Sequence, residues 1–179
     1  MRRILPLPVL LGLASLLLIA AARALPAMQS DFYSERATRQ EIGEFQQFLD
    51  DGGYRDPKYW RYPFRKDGGE IRFAQAAALF RDSTGRPGPA GWELGRFPKD
   101  QADFPVSGVS WFEAGAYCAY VGKALPTVHH WRKAAGFGIY SDILLFSNFA
   151  SAGPARVGAH TGISGFGAYD MAGNVKEWC

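Results

Sequence analysis

Four residues near the end of the chain, Asp170, Gly173, Val175 and Glu177, have types and spacing suited to holding a hard cation. They set a carboxylate, two main-chain carbonyls in a glycine-eased turn and a second carboxylate along one short segment. Calcium takes six to eight oxygens and favours this mixture of carboxylates and backbone carbonyls in a tight loop. A structural reading competes with it. Asp170 can form a turn by bonding its own backbone, as Asp commonly does, and Glu177 can be a solvated strand residue.

The other chemistry-bearing side chains offer less. Cys118 and Cys179 are the only cysteines. In an exported chain they could pair as a disulfide, since thiols oxidise outside the cytosol. Equally, Cys118 could be a buried helix thiol and Cys179 unrelated to it. His129 and His130 are adjacent on a helical segment and point about 100° apart, so they cannot chelate one ion as an i, i+4 pair would. His160 lies alone in a loop segment.

These residues need elements to position them. Thr38-Arg39-Gln40-Glu41 has capping-box spacing, and Ile42, Phe45, Phe48 and Leu49 then share one helical face until Gly52-Gly53. From Tyr54 to Phe104 turn dipeptides recur, including Asp56-Pro57, Tyr62-Pro63 and Asp67-Gly68, so only short elements fit. Phe73 to Phe80 is expected to be helical and Trp92 to Phe97 a strand. Ser110-Trp111-Phe112-Glu113 is a second capping box, after which Trp111, Ala114, Tyr117, Cys118 and Val121 are expected inward, with Gly122 as the stop. Thr127 caps a third helix, Val128 to Ala135, with Val128, Trp131 and Ala135 expected inward and Gly136 as its stop.

Bulk properties fit one globular domain: 179 residues, 47% hydrophobic, with 13 Phe, 8 Tyr and 5 Trp among 21 Gly and 11 Pro. Large rings spaced by turn formers imply a loop-rich fold. Residues 1–24 read as an export signal, with Arg2 and Arg3 before an apolar run from Ile4 to Ala22 and a small-x-small site at Ala22-Arg23-Ala24. Residues 25–37 then form a linker. An uncleaved run is about long enough to anchor the chain in a bilayer. The formal charge of +3 disappears once Arg2, Arg3 and Arg23 are removed. No basic excess remains for nucleic acid.

One resemblance joins these segments. Pro105-Val106, Val109-Ser110-Trp111, Ala116-Tyr117-Cys118, Leu125-Pro126-Thr127, Asn148 and the run Gly167-Ala168-Tyr169-Asp170-Met171-Ala172-Gly173-Asn174-Val175-Lys176-Glu177-Trp178 occur in the order seen in the sulfatase-modifying factor family. Its best-known member is the formylglycine-generating enzyme. Phe45 to Tyr54 and Tyr59-Trp60 resemble the first helix of the subgroup fused to bacterial serine/threonine protein kinases. Glu41-Ile42-Gly43 stands where that subgroup usually has Glu-Val-Thr-Asn.

The resemblance implies an α+β, irregular and loop-rich formylglycine-generating-enzyme fold of C-type-lectin-like architecture, with residues 38–179 a partial domain truncated at both ends. It also implies a structural calcium held by Asp170, the carbonyls of Gly173 and Val175, and Glu177. Formylglycine formation uses copper(I) on two thiolates, soft ligands for a soft ion. The family's reactive pair lies beyond the Trp178 motif, so copper is not expected in this chain, and neither Cys118 nor Cys179 inherits that role. Ergothioneine-pathway iron oxidases share the fold but carry their iron histidines on an added helical domain without counterpart here. The expected function is an exported, periplasmic or secreted, non-catalytic binding or structural module that takes a protein or peptide ligand. The alternative is a copper-dependent oxidase of a sulfatase cysteine shown only in part. Mass spectrometry of the protein from its own cell should find an N-terminus at Leu25. A mass that retains residues 1–24 would mean an anchored chain.

Overall fold

The computed structural model describes residues 41–136, 145–149, 151–164 and 168–179. The signal segment, the linker and the Thr38 capping box lie outside them. The described elements are α1 (Glu41–Asp50), a 3-10 turn (Pro57–Tyr59), a hairpin of β1 (Phe64–Lys66) and β2 (Gly69–Ile71), α2 (Phe73–Ala77), α3 (Trp111–Tyr120) and α4 (Val128–Ala135). Among the described residues, no helix is long and apolar enough to cross a membrane.

Helix α1 buries Ile42, Phe45 and Phe48, the face its periodicity predicts. Gly52 turns the chain out of the helix at φ 81°, and the adjacent Gly53 lies so close to Phe48 that a Cβ there would fall 1.9 Å from the ring. Only glycine permits this approach. Trp60 then returns to the helix exit, donating from Nε1 to the Gly53 carbonyl at 2.9 Å and stacking on Phe80 with ring centroids 5.1 Å apart. Phe64 meets Phe112 at 4.7 Å, while Phe45 and Phe48 pack on Tyr117 and Tyr120 of α3 at 5.2 and 5.3 Å. Rings at such separations add attraction beyond the area they bury. The main core is therefore aromatic and lies between α1, α3 and the hairpin.

Three sequence expectations are corrected. The segment Trp92 to Phe97 is not a strand but a tight reversal, with Leu94 at φ 52°, Gly95 at φ 73° and one bridge from Glu93 to Arg96. The left-handed conformation favoured by Gly95 turns the chain before a ladder can extend. Helix α2 ends at Ala77, short of Phe80, which leaves the helical path to stack on Trp60. On α3 the buried set is Glu113, Gly115, Ala116, Cys118 and Ala119, whereas Trp111, Ala114, Tyr117 and Val121 are only partly covered. Tyr62 lies beside Gly115, 3.3 Å from where its Cβ would stand, while Tyr117, expected inward, does pack on the main core.

The capping box at α3 does more than end a helix. Ser110 Oγ accepts from the Glu113 amide at 3.3 Å, and Glu113 accepts from the Ser110 amide at 2.6 Å and from the Tyr54 hydroxyl at 2.7 Å. Glu113 is 3% exposed, so the capping residue is also a buried cross-link. Burial pushes its carboxyl above the ordinary value, outweighing the hydrogen bonds from Ser110 and Tyr54 that favour the charge. Burial and then Glu113 push the Tyr54 hydroxyl upward as well.

Tyr54→Phe, which strands one carboxylate oxygen, should cost about 1–3 kcal/mol in urea unfolding. Because the folded-state pKa of Glu113 is raised, its stabilising contribution is complete below the unfolded carboxyl's value of 4.5 and is lost as pH rises through the folded value. The stability of wild type minus that of Glu113→Gln should fall as pH rises above that point. A difference that is flat or rises with pH would contradict the assignment.

Candidate functional site

Helix α4 builds one wall of the site. Thr127 Oγ1 accepts from the His130 amide at 3.3 Å, and His130 Nδ1 lies 3.0 Å from that hydroxyl, so His130 is a capping residue. Gly136 closes the helix in the left-handed conformation at φ 67°. Val128, expected inward, is 53% exposed, and the helix buries Ala134 and Ala135 instead. These alanines pack on Met171, with Trp131 and Ala168 at the margin, as a small second core. Two alanines leave a shallow surface against which the Asp170–Glu177 segment can lie closely.

That segment is a series of left-handed steps: Asp170 at φ 56°, Gly173 at φ 77° and Asn174 at φ 59°. Gly173 is required, since a Cβ would stand 2.6 Å from the Asn148 carbonyl oxygen. The Asn174 amide donates to that same carbonyl at 2.9 Å. The Asn174 side chain accepts from the Ala155 amide at 2.7 Å and from Asn148 Nδ2 at 3.3 Å, and donates to the Ala155 carbonyl at 3.3 Å. Asn148 also donates to Gly153 and accepts from the Ser151 hydroxyl. Two asparagines thus tie three separate loops together by satisfying their backbone groups.

Asp170 is 6% exposed and accepts from the Gly158 amide at 2.8 Å. It is more than a local turn former, because Gly158 is on a different loop. Glu177 is partly buried and accepts a short hydrogen bond from Trp131 Nε1. It is therefore not a solvated strand residue. Burial pushes the Glu177 carboxyl up to about 7 against that hydrogen bond, and the charge of Asp170 pushes the same way. Two carboxylates converge here. Among the described residues, no hydrogen bond reaches the carbonyl of Gly173 or Val175. No group of three or more His, Cys, Asp or Glu side chains gathers among the described residues. A cation at this turn would depend on main-chain oxygens for most of its ligands.

The last two residues fasten to α3. Trp178 Nε1 donates to the Val109 carbonyl at 3.0 Å, and Trp111 Nε1 donates to the Cys179 carbonyl at 3.0 Å. Both cysteines are thiols, Cys118 buried in α3 and Cys179 exposed. His129 is exposed on α4, while His160 is partly covered beyond the Asn148 knot. Trp131 and Asn174 were not singled out from sequence as site residues. The signal for Asn174 was present in the Gly-Asn dipeptide, a frequent left-handed turn. Nothing local to Trp131 marks it as a partner of Glu177.

Residues 36–179 match the FGE-sulfatase family, the sulfatase-modifying factor enzyme 1-like domain. The chain belongs to this family. Among curated proteins, the FGE-sulfatase domain here is similar to hercynine oxygenase of Mycolicibacterium smegmatis, 32% identical over 86% of this chain and 38% of that protein. It is also similar to inactive C-alpha-formylglycine-generating enzyme 2 of Bos taurus, 34% identical over 45% of this chain and 34% of the relative. Serine/threonine-protein kinase pkn1 of Chlamydia pneumoniae is 38% identical over 44% of this chain and 14% of the kinase. The chain thus spans well under half the length of each. Nothing matches among solved structures.

Gly173→Ala should destabilise the domain by about 2 kcal/mol from the left-handed backbone alone, and further through the Asn148 contact. Gly153→Ala should be nearly neutral, because a Cβ there meets nothing within 4 Å. Comparing their urea midpoints checks the assignment. Equal midpoints would contradict it.

Proposed function

We propose that residues 41–179 serve an exported protein as a binding and structural platform of C-type-lectin-like architecture, with a structural calcium at the Asp170–Glu177 turn. One observation carries the binding role: large apolar side chains stand exposed around that turn, with Leu145 at 75%, Phe149 at 60% and Phe146 at 51%. Ile163, Tyr169 and Trp178 are exposed as well. The Gly162 amide bonds to the Phe146 carbonyl, and Ile163 bridges Tyr169, so part of this apolar surface is continuous. Apolar patches of this kind mark protein or peptide contacts more often than bare solvent faces.

Calcium is supported by the donor chemistry. Burial and then the neighbouring Asp170 charge raise the cost of ionising Glu177, and no hydrogen bond among the described residues reaches the carbonyl of Gly173 or Val175. Asp170, Gly173 O, Val175 O and Glu177 would hold the ion, which would neutralise the pair and pin the turn. A disulfide between Cys118 and Cys179 forms no part of this proposal. Copper chemistry finds little support in these residues, since a thiolate pair must meet both metal and substrate while Cys118 is 4% exposed.

A second reading, an oxidase whose reactive groups lie outside these residues, is favoured by the identity to a protein named hercynine oxygenase across most of this chain. The two readings separate in solution. The protein purified at full length from its own cell, given copper(I) and a sulfatase-type cysteine peptide, or iron(II) and hercynine, should leave both unchanged by mass and consume no oxygen. An aldehyde mass loss on the cysteine or turnover of hercynine would reverse the proposal. Calcium should raise the melting temperature relative to chelator, and Asp170→Ala should abolish the difference. Identical curves for wild type would exclude the ion.

A further inference from the structure

Among the described residues, three tyrosines of the aromatic core give their phenol protons to carboxylates, a feature that neither the calcium turn nor the apolar surface uses. Tyr54 donates to Glu113 at 2.7 Å, Tyr117 to Glu44 at 2.8 Å and Tyr120 to Asp51 at 2.6 Å. The Tyr54 pair is buried, whereas the Tyr117 and Tyr120 pairs reach solvent. Gln47 Nε2 donates to the second oxygen of Asp51 at 2.8 Å, so the carboxylate that meets Tyr120 is held from both sides. Tyrosine and tryptophan are the aromatic side chains that most readily give up an electron. An oxidised phenol is a strong acid, so its oxidation is favoured where a base stands ready to take the proton. The hydrogen bond to Asp51 pushes the Tyr120 phenol up to about 12. Its proton therefore stays on oxygen until the electron is withdrawn.

The surroundings choose among the rings. Tyr59 lies 5.5 Å from Tyr120, but the Lys58 ammonium stands over its ring, 4.6 Å from the centroid. A cation held at a ring face resists removal of an electron from that ring. Tyr62 and Tyr169 are 40% exposed, more than the partly covered Tyr120, yet among the described residues neither gives its phenol to a carboxylate. Behind Tyr120 the rings continue inward. Phe48 lies 5.3 Å from Tyr120 and 5.7 Å from Tyr54, and Tyr54 lies 5.6 Å from Trp60. Tyr54 and Trp60 are buried, so an electron hole formed on either has Tyr120 as an exit with a waiting base.

We propose that Tyr120, paired with Asp51, is a proton-coupled oxidation site through which one-electron oxidising equivalents leave the aromatic core. The site takes an outer-sphere one-electron oxidant. The electron passes to that oxidant, the phenol O–H bond breaks, its proton moves to Asp51 Oδ2, and a neutral tyrosyl radical remains beside a carboxylic acid. An oxidant that reacts at Trp60 or Tyr54 is reduced there, and the hole reaches Tyr120 across Phe48. A one-electron reductant in solution restores the phenol, with Asp51 returning the proton. This inference goes beyond the proposed function, since such a site would serve a platform and an oxidase alike. Its test reads neither calcium nor substrate turnover.

The test is laser flash photolysis of the full chain with photogenerated ruthenium(III) tris(bipyridine) as the oxidant, read by transient absorption and by electron paramagnetic resonance of the trapped radical. Wild type should give a tyrosyl radical rather than a tryptophanyl one. Tyr120→Phe should remove most of that signal, while Tyr62→Phe and Tyr169→Phe leave it intact. Asp51→Asn keeps an acceptor for the phenol but no base, and it should slow radical formation at least roughly tenfold with the melting temperature unchanged. Should that variant unfold, Tyr120→Phe with Tyr117→Phe takes its place, and the radical should then shift to tryptophan. Loss of the signal in Tyr62→Phe or Tyr169→Phe instead would show that exposure alone selects the ring and would overturn the proposal. An unchanged rate in Asp51→Asn would overturn the part given to the carboxylate. A wild-type radical that stays on tryptophan would leave the tyrosine–carboxylate pairs a purely structural tie between α1 and α3.

Discussion

The buried carboxylate of Glu113 holds together parts of the chain that share little regular structure. Its two oxygens receive the Tyr54 hydroxyl from the exit of α1 and the Ser110 amide at the start of α3. A carboxyl in a dry setting is costly to leave without its donors. These bonds tie the start of α3 to the exit of α1. Phe45 and Phe48 then meet Tyr117 and Tyr120, and Phe112 meets Phe64. The loops that follow α3 inherit their placement from that contact.

Aromatic packing does here what a sheet does in many mixed folds. Among the described residues the regular ladder consists of three residue pairs in one hairpin, so long-range order there depends on rings and on side chains that bond loop backbone. Asp82 is an example. It accepts from the amides of Thr84, Arg86 and Gly95 and from the Thr84 hydroxyl, organising a loop that has no ladder of its own. Asn148 and Asn174 repeat the device near the candidate site. A fold organised this way varies its loops without losing its core, which suits a scaffold found in relatives with names as different as an oxygenase, an inactive formylglycine-generating enzyme and a protein kinase.

The turn at Asp170–Glu177 combines three demands that pull on one another. Its glycine must approach the Asn148 backbone, its carboxylates must converge, and Trp131 must bond Glu177 from α4. Burial first, and then the charge of Asp170, raise the cost of ionising Glu177, while the asparagine bonds hold the turn to Asn148. A divalent cation would relieve that repulsion where it arises.

Local rules determined much of this protein. Capping boxes, helical periodicity and terminal glycines defined α1, α3 and α4, because those signals act through neighbours three or four residues away. The order of short motifs was enough to identify the family, and the turn at Gly173 was visible in its composition. Tertiary structure decided the rest. It made the Glu113 cap a buried cross-link, set Gly115 of α3 beside Tyr62, exposed Val128, and put a reversal where a strand was expected at Trp92–Phe97. It also brought Trp131 to Glu177 across 46 positions. No local pattern encodes such contacts, because they depend on how space is filled after the elements have formed, and each is settled by the packing of every other ring and loop around it.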